Sequence, residues 1–161
     1  MRPFLLLTLL ALSPALRAAD LTLVRVWPEW RAAETFAGIS EFLTGRENTD
    51  GQTIWRSQPA ERTGYYFTVR TKTGVAVTGA RIELQVLLPG MEQPRTAIFP
   101  ADLPAGTHVT LAGLTGQDWP GEKTRPLAWH LAVIGLDGTV LASEQSYLWT
   151  KPAASVAAPA K

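Results

Sequence analysis

The chain has 161 residues, 46% of them apolar, a mean hydropathy of +0.03, a formal net charge of +1 and no cysteine. The lack of cysteine excludes disulfides, Cys-ligated zinc, iron–sulfur clusters and thiol nucleophiles. The length is that of one globular domain of ordinary size.

The first nineteen residues have the pattern of a secretory signal peptide. Arg2 precedes an apolar run over residues 4–12, and Pro14 follows the run. The small residues Ala18 and Ala19 then mark the region of cleavage before Asp20. The alternative, an uncleaved membrane anchor, needs about 20 apolar residues, and this run has about half of that. We therefore predict an exported protein, periplasmic or secreted, whose mature chain begins near Ala19 or Asp20 and has no transmembrane anchor.

The predicted cleavage changes the charge of the protein. It removes Arg2 and Arg17 and leaves 13 basic against 14 acidic residues, a net charge of −1. A nucleic-acid-binding domain is expected to carry a basic stripe and a high pI. Nucleic acid is therefore not an expected partner.

The chain begins, after the signal, with an alternating strand over residues 21–27. Pro28 then suits the first turn of a helix, and four apolar residues at helical spacing follow it: Ala32, Phe36, Ile39 and Leu43. Gly45 is placed to end the helix. This pattern predicts a short N-terminal helix over 28–44, with a loop containing one helical turn as the alternative.

In the rest of the chain, apolar and polar residues alternate over short segments that are separated by Gly, Pro and Asp turns. The predicted strands are 52–56, 65–71, 80–88, 95–99, 109–111, 128–134 and 140–149. Asp137-Gly138 between the last two is a strong hairpin signal. About seven short strands without crossover helices predict a mainly β, antiparallel β-sandwich as a single domain over 20–150. The Ala- and Pro-rich residues 151–161 predict a disordered tail.

Two segments carry a resemblance to a known family. The phrase Leu103-Pro-Ala-Gly-Thr-His-Val109 and the hairpin Leu136-Asp-Gly-Thr139 resemble segments of immunoglobulin-like and fibronectin-type domains of exported bacterial proteins. The resemblance covers Tyr65 to Trp149. It implies an immunoglobulin- or fibronectin-like sandwich and brings no functional residues with it.

No catalytic, cofactor or metal motif stands out in the sequence. His108 and His130 are the only histidines, and each is expected on the solvent face of its strand. No nucleophile elbow or phosphate-binding glycine loop is present. We therefore predict no catalytic residue, no metal site and no cofactor. The carboxylates Glu41, Glu47, Asp102 and Asp118 remain as a possible pair for a hydrolase.

Two groups of residues are candidate ligand sites. Trp119 lies in a polar loop beside Asp118 and near Arg125, which suits stacking on a sugar or anchoring a partner. The alternative is that Trp119 folds back and closes the end of the sandwich. Arg46 and Arg56 belong to a polar segment that suits an anionic ligand, or a structural network of arginines with carboxylates.

These observations favour an exported, non-enzymatic binding or accessory module whose partner is a protein or a glycan. One alternative is a carbohydrate-binding module that uses Trp119 together with Tyr66 or Trp55. The second alternative is a small hydrolase with a carboxylate pair. No feature of the sequence specifies an oligomeric state.

Overall fold

The structure is a computed structural model that describes residues 20–37, 47, 49 and 51–149. The predicted signal peptide, the second half of the predicted helix, most of the polar segment around Arg46 and the predicted tail lie outside the described residues. The described part is mainly β, as predicted, and its eight strands form two four-stranded sheets.

The strands follow one another with short connections. They are β1 (Leu21–Arg31), β2 (Thr53–Arg56), β3 (Gly64–Thr73), β4 (Val77–Leu87), β5 (Arg95–Leu103), β6 (Gly106–Thr115), β7 (Ala128–Ile134) and β8 (Val140–Gln145). Short 3₁₀ turns cover Ala33–Phe36 and Gly116–Asp118.

The two sheets differ in their pairing. Sheet A has the order β1-β3-β6-β2, in which β2 runs parallel to β6 and the other pairs are antiparallel. Sheet B has the order β5-β4-β7-β8 and is antiparallel throughout. The prediction of an antiparallel sandwich therefore holds except for β2. Within the described part of the chain, the edge strands are β1 and β2 in sheet A and β5 and β8 in sheet B.

The inner faces of the two sheets share one hydrophobic core. Alternate residues of β4 point into it, as the period-two pattern predicts, and meet residues from β3 and β7. The fully buried core side chains include Phe67 and Val69 from sheet A and Ile82, Leu84, Val86, Leu131 and Val133 from sheet B. This shared core makes the molecule a β-sandwich.

The predicted helix over 28–44 is wrong for its described part. Strand β1 continues through Pro28 to Arg31, and only one 3₁₀ turn, Ala33–Phe36, follows. Proline is tolerated here because β1 is an edge strand, where a missing N–H need not break the sheet. Residues 38–44 lie outside the described residues. Sequence periodicity was misleading because Phe36 is buried against a sheet rather than on a helical face.

Other boundaries also differ from the sequence predictions. β5 runs through Pro100, again on an edge, although a proline there predicted the end of the strand. β8 ends at Gln145 instead of Trp149. The Asp137-Gly138 hairpin is confirmed: the Gly135 N–H donates to the Thr139 carbonyl over 2.8 Å, and Gly138 has a φ of 84°.

The first part of strand β3, Gly64–Val69, is buried on both faces, which the sequence did not predict. Tyr66 and Thr68 point away from the core, yet they are 0% and 2% exposed. A second apolar cluster covers them on the outer face of sheet A, built from Phe36, Tyr66 and Leu111. Gly113 faces Tyr66 in the neighbouring strand, and a Cβ there would lie 2.4 Å from the tyrosine ring, so only glycine fits.

The connections gather at two opposite ends of the sandwich. The lower end holds the segments 32–37, 57–63, 88–94, 116–127 and 146–149, and the upper end holds the turns at 74–76, 104–105 and 135–139. Within the described part of the chain, none of the helical segments has the length and apolarity needed to cross a membrane. The candidate site residues lie mainly at the lower end.

Candidate functional site

Trp119 is buried, so the structure contradicts its expected role as an exposed stacking residue. Its side chain is 4% exposed and stacks on Tyr65, with ring centres 4.3 Å apart and planes at 14°. The indole N–H donates to the Gly121 carbonyl over 3.0 Å. Trp119 therefore closes the lower end of the sandwich, which was the alternative reading of its loop. The carbohydrate-binding alternative loses its principal residue.

Asp118 is held by two neighbours instead of facing a ligand with Trp119. Its carboxylate accepts a hydrogen bond from the Gln58 amide over 3.3 Å and lies 3.6 Å from the Arg95 guanidinium. The same Nη1 of Arg95 donates to the Asp118 main-chain carbonyl over 2.7 Å. Asp118 thus orients Arg95, a residue that the sequence analysis did not single out.

Arg125 is exposed and folds back on its own loop. Its Nη1 donates to the carbonyls of Glu122 and Thr124, the second over 3.0 Å. Its guanidinium carbon lies 5.8 Å from the centre of the Tyr65 ring. Burial raises the pKa of Tyr65, and the charge of Arg125 partly opposes that rise. Arg125 therefore joins Trp119 in covering Tyr65.

Arg56 belongs to a network on the outer face of sheet A, and Arg46 lies outside the described residues. Arg56 forms a two-pronged ion pair with Glu47, one contact of which is 3.0 Å, and its Nε donates to the Tyr66 hydroxyl over 2.9 Å. Its guanidinium also lies 4.9 Å from the centre of the Phe36 ring. Its polar atoms therefore bind the protein itself, and the side chain is only 10% exposed.

Tyr66 is the centre of this network. Its hydroxyl accepts from Arg56 and donates to the Arg62 carbonyl over 2.6 Å. Burial raises the pKa of Tyr66 above 10.0, while the hydrogen bond and charge of Arg56 act in the opposite direction. These contacts hold β2 against β3, and they leave no donor of Arg56 directed at an anion site.

The carboxylates of the hydrolase alternative lie in different places. Glu47 pairs with Arg56, Asp102 accepts from the Gly79 N–H over 2.7 Å at the upper end, and Asp118 pairs with Arg95 at the lower end. Glu41 lies outside the described residues. Within the described ranges, no three His, Asp or Glu side chains gather as metal ligands. The described carboxylates therefore do not assemble the predicted pair.

The structure instead contains an apolar cleft at the lower end of sheet B, which we call the lower cleft. It has a volume of about 270 Å³ and is lined by Leu87, Pro94, Ala128, Leu148 and Trp149, with Glu92 and Gln93 at its polar side. It forms because the chain turns after β8. The Ser146 N–H donates to the Trp129 carbonyl, and the Ser146 hydroxyl accepts from the Trp129 N–H, both over 2.9 Å.

The segments that line the lower cleft carry exposed large apolar side chains. Tyr147 is 99% exposed and Leu148 65%, and Met91 and Leu127 on the adjoining segments are also exposed. Trp149 is half-buried and stacks on His130 at 5.6 Å between ring centres. The sequence analysis assigned residues 147–149 to the last strand. The sequence feature that indicates the cleft is Tyr147-Leu148-Trp149. Three large apolar residues in succession do not fit the alternating pattern of a half-buried strand.

Comparison of the chain with models of known protein families gives no match, and comparison with curated proteins gives no significant match.

Because Trp119 closes the lower end of the sandwich, its removal is expected to destabilise the fold strongly. Trp119→Ala is expected to lower the free energy of unfolding by about 3–5 kcal/mol, because it opens a cavity against Tyr65. Guanidinium unfolding followed by circular dichroism measures this value. The matched control is Trp27→Ala, since Trp27 is half-buried on an edge strand beside Arg25. A loss for Trp119→Ala no larger than that of the control would contradict the closure.

Proposed function

We propose that this chain is a non-enzymatic binding module that holds a protein partner at the lower cleft. The observation that carries the proposal is the apolar lining of the cleft, which includes Leu148, a side chain that is 65% exposed. Four large hydrophobic residues on the segments that form the cleft are exposed: Met91, Leu127, Tyr147 and Leu148. Exposed apolar patches with polar rims are typical of interaction sites.

The chemistry of the cleft favours a protein over a small molecule. Its volume of about 270 Å³ lies just below the ~300–1,000 Å³ of ordinary small-molecule pockets, and it is open to solvent. A cleft of this size suits an apolar side chain inserted from a partner surface. Tyrosine and tryptophan beside it are residue types that dominate the binding energy of protein interfaces.

The site lies on a well-fixed part of the fold. Trp149 is positioned by His130 on β7, and the Trp149 N–H donates to the Ser146 carbonyl over 3.0 Å. On the other side, the Leu127 N–H donates to the Leu87 carbonyl over 2.8 Å. Both walls are therefore tied to strands of sheet B, which limits the entropy lost when a partner binds.

Cross-linking in the producing cell tests this role. A photo-reactive amino acid in place of Leu148 is expected to give an adduct of defined mass that is absent when it replaces Leu136. Leu136 is the matched control because it is 82% exposed at the opposite end. With the captured partner purified, Leu148→Asp is expected to weaken binding at least tenfold, since a charge would enter an apolar contact.

Three outcomes of that experiment count against the proposal. The same adducts at both positions would show that the contact is not specific to the cleft. Equal affinity of the Leu148→Asp variant for the purified partner would place the interface elsewhere. An adduct made of glycan would replace a protein by a carbohydrate as the partner class.

We further propose that the module works outside the cytoplasm. The apolar run at residues 4–12 after Arg2 supports export. Intact-mass analysis of the protein recovered outside the cytoplasm is expected to show a chain that begins at Ala19 or Asp20. Leu6→Arg together with Leu9→Arg should leave the full-length chain in the cytoplasm, because charges interrupt the apolar run. A full-length wild-type chain in the cytoplasm would contradict export.

A further inference from the structure

A second concave surface lies between the free edges of the two sheets. Among the described residues, strand β5 pairs only with β4 and strand β2 only with β6, so each presents one edge without a strand partner there. These edges face a groove of about 260 Å³, which we call the edge groove. Its walls include Arg56 and Ser57 on one side, Arg95 to Phe99 on the other, and Asp118 at the lower end.

The segment Arg95–Phe99 is the part of β5 that is open to a further strand. Pro100 has no N–H and therefore interrupts the row of donors on this edge. Before it, Ile98 is 60% exposed, and no strand among the described residues covers the edge. An unpaired edge of this kind accepts an extended peptide through main-chain hydrogen bonds.

The two arginines of the edge groove differ in their free donors. Arg56 is occupied by Glu47 and Tyr66. Arg95 uses only its Nη1, on Asp118, and its side chain is 39% exposed. The Nε and Nη2 of Arg95 make no hydrogen bond to the described residues, and together they form the fork that a carboxylate occupies with two parallel hydrogen bonds.

We propose that the edge groove binds an extended segment of a protein partner, which adds to sheet B as an antiparallel strand beside β5 and places an acidic side chain on Arg95. This inference goes beyond the proposed function, because it assigns a second surface and a different mode of recognition. Both arginines are ion-paired, Arg56 with Glu47 and Arg95 with Asp118. Arg95 alone keeps two N–H groups, Nε and Nη2, without a hydrogen bond to the described residues, and they specify where the acidic side chain lies.

The register follows from the alternation of β5. Arg95, Ala97 and Phe99 share the side of the strand that faces the interior, where Phe99 and Ala101 are buried. In an antiparallel partner strand, the residues opposite Phe99, Ala97 and Arg95 follow one another at every second position. The groove therefore fits a segment of the pattern apolar-x-small-x-acidic, with the two intervening side chains facing solvent.

A synthetic peptide whose central residues are Val-Thr-Ala-Thr-Glu tests the inference. Titrated into the isotopically labelled mature protein, it is expected to shift the backbone amide resonances of residues 95–99. Replacing the glutamate of the peptide with glutamine, or Arg95 with glutamine, is expected to weaken binding about tenfold, since either change removes the charge-assisted pair. Making both changes together should add little more. Arg70→Gln is the matched control, because Arg70 is exposed on β3, outside the groove.

Two proline variants test the strand pairing itself. Ile98→Pro removes the N–H donor at position 98, just as Pro100 lacks one two residues later. The variant should abolish binding, while the fold is retained because an edge strand tolerates proline. Pro100→Thr restores a donor and should tighten binding several-fold and extend the shifts to residue 100. Unchanged affinity in Ile98→Pro would overturn the pairing.

The remaining outcomes are equally decisive. No shift at residues 95–99 with peptide up to about 5 mM, well above a millimolar dissociation constant, would overturn the proposal. Concentration-dependent shifts at the same amides without peptide, together with a dimer in sedimentation, would make a second copy of the chain the occupant and overturn the assigned partner. Leu148→Asp should leave the titration unchanged, so that failure at the edge groove and failure at the lower cleft are distinguishable.

Discussion

The burial of the Tyr66 side chain on the outer face of sheet A is the interaction on which the rest of the arrangement depends. A phenol removed from water needs partners for its hydroxyl, and Tyr66 finds them in Arg56 and in the Arg62 carbonyl. Arg56 in turn fixes Glu47, and its guanidinium lies over the Phe36 ring. The ring of Tyr66 thus connects strand β3 to the residues Phe36, Glu47, Arg56 and Arg62, all of which precede it in the chain.

This arrangement makes the two sheets unequal. The outer face of sheet A is covered around Tyr66, where Arg56 and Glu47 pair with each other, whereas the segment after β8 of sheet B exposes Tyr147 and Leu148. Arg95, with its Nε and Nη2, lies on the sheet B side of the edge groove. Both proposed interaction sites therefore include residues of sheet B. The fold alone does not specify a function, which has to be argued from such sites.

The sequence predicted the layers of the fold better than its surfaces. Period-two alternation located β4 and β7, since it depends only on neighbours in the chain. The same alternation placed Tyr66 on the outer side of β3 but carried no information that Phe36, thirty residues earlier, would cover it. Pro28 was read as the start of a helix because the sequence does not show which strand will be an edge. Trp119 has polar neighbours in the chain, and only its packing on Tyr65 shows that it is buried.

Chemical unfolding of Tyr66→Phe tests the central claim most directly. This substitution keeps the ring over Gly113 and removes only the hydroxyl, so the Arg56 Nε and the Arg62 carbonyl lose their partner. The free energy of unfolding at neutral pH is expected to fall by about 1–3 kcal/mol. Tyr147→Phe, at a fully exposed tyrosine, is expected to leave it unchanged. Equal stability of the two variants would contradict the claim that the Tyr66 hydroxyl holds the outer face of sheet A together.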